Sequence, residues 1–141
     1  MRRALLSLAR LACTAFVLLA AGLPPVAAQT WGVHVASQHL PAKQRYNNLN
    51  PGLYYRTADG WVAGGYMNSL TRPSLYLGHT FGEGRFAVTV AAVTGYAHPV
   101  QPLIVPSAEL FTLNGAAVRL AYIPRVEKRI GSHVLHLMVE Y

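Results

Sequence analysis

The chain has 141 residues, of which 52% are apolar and 12% charged, and this apolar content excludes a disordered protein. The length supports one domain. The formal net charge is +7. Three of the arginines lie within the first ten residues, however, and the rest of the chain is too weakly basic to predict a nucleic acid partner.

The first 28 residues have the layout of a secretory signal peptide. A basic start precedes an apolar stretch, and Val26-Ala27-Ala28 provides small residues at the −3 and −1 positions of a cleavage site. The apolar stretch is short for a membrane-spanning helix, although a retained anchor helix is the alternative. Cys13 is the only cysteine, so the remaining domain, 29–141, is predicted to have no disulfide. We expect a protein exported in the bacterial manner.

The domain has no long helical pattern but eight short β-rich segments at near-regular spacing. Tight turns rich in Gly and Asn, such as Asn114-Gly115, alternate with longer connections that carry more charge and proline. The predicted strands are 30–40, 51–57, 61–69, 73–81, 85–97, 102–113, 116–126 and 132–141.

Short turns on one side and longer loops on the other are typical of an outer-membrane barrel with its short turns in the periplasm. We therefore predict an all-β, eight-stranded, antiparallel up-and-down transmembrane β-barrel that ends on the aromatic residue Tyr141. A soluble β-sandwich or lipocalin-like barrel is the alternative. It would turn polar faces outward, whereas these strands contain very few charges.

Two of those charges lie in the middle of neighbouring strands. Glu109 and Arg119 flank the Asn114-Gly115 turn and would face each other if that loop counted three residues. An ion pair of this kind fits a polar barrel interior, because an Arg on a lipid face would cost roughly 2–4 kcal/mol. We expect the pair to lie inside the barrel.

Three polar residues are predicted at one outer rim, because strands one and three both run outward. His39 can act as a base, Ser69 as a nucleophile or hydrogen-bond partner, and Asn68 can orient the imidazole or donate to an oxyanion. The same residues also suit an ordinary solvated rim. His34 is an alternative base, but its spacing from His39 predicts that the two point to opposite faces. The other histidines are scattered, so we predict no metal ion.

Prolines and basic residues mark the same rim. Pro106, with Pro102 before it, interrupts strand six, and Pro124 interrupts strand seven. Proline has no N–H to donate to a neighbouring strand, so these prolines predict a local opening through which a lipid tail could pass. The alternative is that they only mark loop boundaries. The basic residues suit lipopolysaccharide phosphates or ordinary solvated loops. Those in the predicted outer loops are Lys43, Arg45, Arg72, Arg125, Lys128 and Arg129.

Several short motifs together resemble the outer-membrane lipid A palmitoyltransferase (PagP) family. They are Arg45-Tyr46-Asn47, Asn50-Pro51-Gly52, Asn68-Ser69, Gln101-Pro102-Leu103 with Val105-Pro106, and Ala121-Tyr122-Ile123-Pro124. The resemblance implies a barrel that moves a palmitoyl chain from a phospholipid to lipid A without a cofactor, as a membrane-embedded monomer. It also implies a rim His, Asp and Ser, an interior pocket that measures the chain, and proline-marked gaps.

Carried over to this chain, the resemblance makes Ser69 the family serine, His39 or else His34 the histidine, and Gly78 the glycine of the pocket floor. Asn68 departs from the pattern, since the family has an aspartate there. The first outer loop is also shorter, and no amphipathic helix precedes strand one. The alternative function is a non-catalytic structural or lipid-binding barrel. A lipid A deacylase is less well supported, because no His here is followed two residues later by Ser.

Overall fold

In the computed structural model, which describes residues 29–42, 44–82, 84–125 and 132–141, eight antiparallel strands form a closed barrel. The described residues include no helix long and apolar enough to cross a membrane. The predicted signal peptide lies outside the described residues, as do Lys43, Lys128 and Arg129. The strands are β1 (Thr30–Leu40), β2 (Leu49–Arg56), β3 (Trp61–Met67), β4 (Pro73–Phe81), β5 (Phe86–Val93), β6 (Gln101–Leu113), β7 (Ala116–Ile123) and β8 (His133–Glu140).

Each strand pairs with its neighbours in the chain, and β1 closes the barrel against β8. The predicted all-β, eight-stranded, antiparallel up-and-down barrel is thus confirmed. The termini of the barrel, which are the start of β1 and the end of β8, lie at the same end as the β2–β3, β4–β5 and β6–β7 turns. In the last of these, Asn114 and Gly115 both have positive φ (49° and 83°), as a two-residue hairpin of type I′ requires. The longer loops lie at the opposite end, called the loop end below.

Two predicted strands are longer than the observed ones for local reasons. β3 stops at Met67 because the side chain of Asn68 accepts hydrogen bonds from the backbone of Leu70 and Arg72, which turns the chain. β5 stops at Val93, and Gly95 follows with a φ of 87°. The Cβ of any other residue at position 95 would lie 2.5 Å from the carbonyl oxygen of Pro73. The bounds of β1 and β4 agree with the prediction.

Large apolar side chains cover much of the outer surface of the barrel, and the interior contains many polar side chains beside apolar ones. The outward-facing residues Trp31, Leu53, Trp61, Leu75 and Phe86 are between 53% and 69% exposed. The buried residues include a large polar set that faces inward: His34, His39, Arg56, Thr80, Arg119, His136 and Glu140. Exposed apolar side chains of this size form the largest apolar surface among the described residues.

A bulge in β1 changes which residues face the interior. The pairing of β1 with both β2 and β8 shifts between His34 and Ala36, so that Val35 is passed over in both ladders. Between His34 and Ala36, β1 has one residue more than β8 and one fewer than β2. This shift reverses the alternation, and His34 and His39 both line the interior. The prediction that these two histidines point to opposite faces was therefore wrong, because strict alternation was assumed through the bulge.

A second bulge brings Glu109 opposite Arg119. The turn between β6 and β7 has two residues, and the shift between Glu109 and Phe111 supplies the extra one that the pairing needs. Arg119 Nη1 lies 4.0 Å from Glu109 Oε2. The predicted pairing is confirmed, although a bulge rather than a longer loop produces it.

The ladder between β6 and β7 is shorter than β6 itself. It runs from Leu113 to Ser107, which pairs with Ala121, whereas β6 continues to Gln101 and stays paired with β5 throughout. Among the described residues, the outer part of β6, which includes Pro106, is therefore laddered on one side only. Pro124 directly follows the last residue of β7. The shorter ladder lies beside both prolines, and the lipid opening itself stays a prediction.

Candidate functional site in the barrel lumen

A cavity of about 170 Å³ occupies the barrel interior and has two chemically different walls. The polar wall comes mainly from β1 to β4, with His136 of β8. The aliphatic wall comes from β6, β7 and β8. Residues of the polar wall are His34, His39, Tyr54, Tyr66, Tyr76 and His136, and those of the aliphatic wall are Leu103, Val105, Ile123, Val134 and Met138. The cavity can therefore hold a narrow apolar molecule against one wall.

A charge network occupies the lumen at the end that holds the termini. Glu140 accepts hydrogen bonds from Arg56 Nη1 at 2.9 Å and from Tyr54 Oη at 2.8 Å, and Arg119 Nε lies 3.8 Å from its other oxygen. Arg56 also donates to Thr30 Oγ1 at 3.1 Å. The side chains of Arg56, Arg119 and Glu140 are each less than 10% exposed, so these charges pair with one another away from solvent. Among the described residues, Arg56 Nε is buried without a hydrogen-bond partner.

The middle of the polar wall is a hydrogen-bonded histidine pair. His34 Nδ1 lies 2.8 Å from His136 Nε2, and His34 Nε2 lies 2.9 Å from Tyr76 Oη. The rings of Tyr54 and Tyr66 also pack against His34, each with its centroid 5.0 Å away. Both nitrogens of His34 are thus engaged, which leaves neither free to accept a proton from a substrate.

At the loop end, His39 has different neighbours from those of His34. Its Nδ1 lies 3.2 Å from Asn48 Oδ1, and its ring stacks on Tyr46 with centroids 4.0 Å apart and planes 11° apart. An amide oxygen can only accept, so Nδ1 carries the proton and the lone pair is on Nε2. Tyr46 is held in turn by Ser132, whose Oγ lies 3.2 Å from Tyr46 Oη. His39 is therefore an oriented imidazole at the edge of the cavity, and in its neutral form Nε2 can accept a proton.

Asn68 lies close to this region but holds the backbone of the loops. Its amide oxygen accepts from Leu70 and Arg72, at 2.9 and 3.0 Å, and its nitrogen donates to Ser74 Oγ at 3.0 Å and Gly95 O at 2.9 Å. All four positions of the amide are used, and the side chain is fully buried. The amide that contacts His39 is that of Asn48, which sequence reasoning missed because the contact depends on how the β1–β2 loop folds back.

Ser69 lines the same cavity as His39. Its carbonyl accepts a hydrogen bond from the backbone N–H of Asn47 at 2.9 Å. That bond connects the loop that carries Ser69 to the segment that supplies Tyr46 and Asn48. The structure thus places His39 and Ser69 at one rim of the cavity, where this hydrogen bond joins the two loops.

The other predicted binding residues are not among the residues that line the cavity. Gly78 faces inward on β4 between Val62 and Ala91, where an added Cβ would lie 2.5 Å from Ala91 Cβ, so glycine allows close packing of β4 on β5. The far end of the cavity is instead bordered by Arg56 and Glu140. Arg45 and Arg72 are exposed in the rim loops.

A second hydrogen-bonded pair lies at the rim. Tyr66 Oη and Tyr96 Oη are 2.8 Å apart, and both residues line the cavity. Tyr96 belongs to the loop between β5 and β6, where burial raises the pKa of its hydroxyl. It therefore remains protonated and contributes a neutral hydrogen-bonding group. In the described ranges there is no cluster of three or more histidine, cysteine or acidic side chains that could hold a metal ion.

No family model matches the chain, and neither a curated protein nor a solved structure is similar to it. The resemblance to the lipid A palmitoyltransferase family therefore stays a prediction from the motifs.

Proposed function

We propose that this protein is a transmembrane barrel of the bacterial outer membrane that transfers an acyl chain from a phospholipid to lipid A. The membrane location is supported by the apolar outer surface, whose large side chains would otherwise contact water. The even number of strands, the short turns beside the termini and the predicted signal peptide agree with it. The loop end then faces outward, where lipid A is found.

The transfer reaction is supported by one observation above all. His39 borders the lumen with Nδ1 bonded to Asn48, no group among the described residues is bonded to its Nε2, and Ser69 borders the same lumen. An oriented imidazole beside a hydroxyl is the minimum arrangement for acyl transfer. The aliphatic wall of Leu103, Val105 and Met138 provides a surface for the chain.

In the proposed reaction, a phospholipid ester reacts with a hydroxyl of lipid A to give a lysophospholipid and acylated lipid A. His39 accepts the proton of the attacking hydroxyl, the new ester bond forms, and the old one breaks. The proton then passes from His39 to the departing glycerol oxygen. Ser69 either attacks first, which gives an acyl-serine, or donates a hydrogen bond to the oxyanion.

Groups of the protein itself would bring both lipids to this rim, and the proposed reaction uses no cofactor. Arg45 and Arg72 are exposed next to it and can bind lipid phosphates. The one-sided ladder of outer β6 at Pro106, ahead of Pro124, gives a tail a lateral path into the lumen. One barrel holds all of these groups, so we propose that a monomer suffices.

The test is transfer of a labelled chain from phosphatidylcholine to lipid A by the refolded protein in detergent micelles. We expect His39→Ala to lower the rate by about 10²–10⁴-fold, because it removes the base. His98→Ala, at an exposed loop histidine, is the matched control and should keep wild-type activity. Ser69→Ala should also lose activity, and an acyl-protein adduct found by mass spectrometry would identify Ser69 as the nucleophile. Transfer that survives His39→Ala would contradict the proposal.

A non-catalytic lipid-binding barrel is the second candidate. It is favoured by Asn68, which stands where the resembled family has an aspartate and whose amide is fully engaged by Leu70, Arg72, Ser74 and Gly95. A folded wild-type barrel that binds phospholipid tails but transfers none of them would support this candidate instead.

A further inference from the structure

The polar wall of the lumen leaves one ring nitrogen open to the cavity. His136 Nε2 is bonded to His34, but among the described residues no group is bonded to His136 Nδ1. This atom is not among the described buried polar atoms that lack a partner, and His136 lines the cavity. The nitrogen is thus accessible to a molecule inside the lumen.

The neighbouring hydrogen bonds allow two roles for that nitrogen. If Tyr76 donates to His34 Nε2, then His34 donates to His136, and the proton of His136 is on Nδ1, which makes it a donor to the cavity. If His34 donates to Tyr76 instead, His136 donates to His34, and its Nδ1 accepts. A hydroxyl group satisfies either arrangement, whereas a methylene group satisfies neither.

The position of His136 relates this nitrogen to the proposed reaction. His136 pairs with Ser37 and Val134 pairs with His39, so His136 lies two strand residues, about 7 Å, further along β8 from the level of His39. Once about 2.8 Å is allowed for the hydrogen bond itself, a hydroxyl on about the third to fifth carbon of an extended chain whose carbonyl is beside His39 can reach His136. Further along β8, Met138 belongs to the aliphatic wall.

We propose that the acyl chain which this lumen selects carries a hydroxyl group close to its carbonyl, and that His136 recognises the hydroxyl. This inference rests on the proposed acyl transfer and specifies the class of chain. A plain saturated chain would leave His136 Nδ1 without a hydrogen bond, whereas a hydroxylated chain would supply one, and we expect the difference to be about tenfold in selectivity.

The experiment offers the refolded protein an equal mixture of two phospholipids, one with a hexadecanoyl chain and one with a 3-hydroxyhexadecanoyl chain. The acylated lipid A products are then counted by mass spectrometry. We expect the wild type to prefer the hydroxylated chain by about tenfold, His136→Phe to reduce the ratio to about one, and His136→Gln to keep part of the preference. The ratio comes from one reaction mixture, so a partial loss of folded protein affects both products equally. A wild-type ratio near one, or a ratio that His136→Phe leaves unchanged, would overturn the proposal.

A binding measurement separates this inference from the transfer activity. If the wild type transfers neither chain, the affinities of 3-hydroxyhexadecanoic acid and hexadecanoic acid are compared on the same folded protein. Tighter binding of the hydroxylated acid, lost in His136→Phe, would support recognition by His136 although the transfer proposal had failed. Equal affinities would reject the recognition itself.

Discussion

The two ends of the lumen differ in how their charged and titratable side chains are paired. At the end with the short turns, Glu140 is surrounded by Arg56, Tyr54 and Arg119, and the opposite charges pair with each other. At the loop end, His39 is bonded to Asn48 through Nδ1, and among the described residues no group is bonded to its Nε2. We infer that charge pairing stabilises the barrel at the first end, whereas the second end provides the ring nitrogen on which the proposed transfer depends.

The difference follows from how the two ends are built. Near the termini, short turns connect the strands, so the ladders themselves bring Arg56, Arg119 and Glu140 together. At the loop end, side chains such as Asn68 and Asn48 contact the loops and the rim residues. Substitutions that alter one end alone test this comparison.

The largest effect is expected at the charged end. Glu140→Gln leaves Arg56 and Arg119 buried without their shared carboxylate, which should lower the free energy of unfolding by about 3–5 kcal/mol. Urea unfolding of the barrel in micelles, followed by tryptophan fluorescence, measures it. Glu109→Gln is the control: its partly exposed side chain contacts Arg119 only at 4.0 Å, so a loss below about 1 kcal/mol is expected. Equal losses for both variants would refute the proposed stabilising role of Glu140.

An intermediate effect is expected at Asn68. Asn68→Ala removes four hydrogen bonds and leaves the backbone groups of Leu70, Arg72 and Gly95 without this partner. We expect about 1–3 kcal/mol lower stability in the same unfolding measurement. At a temperature where the variant is folded, KM and kcat for acyl transfer should stay close to wild type. A large fall in kcat with unchanged stability would instead indicate a direct role of Asn68 in the chemistry.

The smallest effect is expected at Asn48, which positions His39 and is itself exposed. Asn48→Ala should lower kcat by about tenfold with little change in KM or in stability, because only the orientation of the imidazole is lost. Asn48→Asp keeps an acceptor opposite Nδ1 and should restore most of the rate. If alanine and aspartate had the same effect, Asn48 would have no positioning role.

Much of the fold could be predicted because its signals are local. Gly and Asn at the tight turns, among them Asn114-Gly115, mark the hairpins, and alternation marks the strands; β1 and β4 have the predicted bounds. The turn that Asn68 makes with Leu70 and Arg72 is also local, and an Asx turn could have been predicted there.

The candidate site was only partly predictable, because bulges and loop contacts decide it. The register shift at Val35 reverses the faces of β1 and places His34 and His39 in the same lumen, and nothing in the alternation marks that position. The partner of His34 is His136, 102 residues away in the chain. No spacing rule relates residues so distant.

By itself, the sequence determined an eight-stranded barrel and a His and a Ser near one rim. Both depend on turns and on the two-residue period of a strand, which are properties of short segments. The pairing of Glu109 with Arg119 was predicted only for a three-residue loop, and the bulge between Glu109 and Phe111 produces it instead. Only the tertiary structure decided that Asn48 contacts His39, that Asn68 is used to hold loops, and that His136 keeps a nitrogen open to the cavity. The physical reason is that barrel closure and its bulges set which side chains meet, and these contacts join strands far apart in the chain.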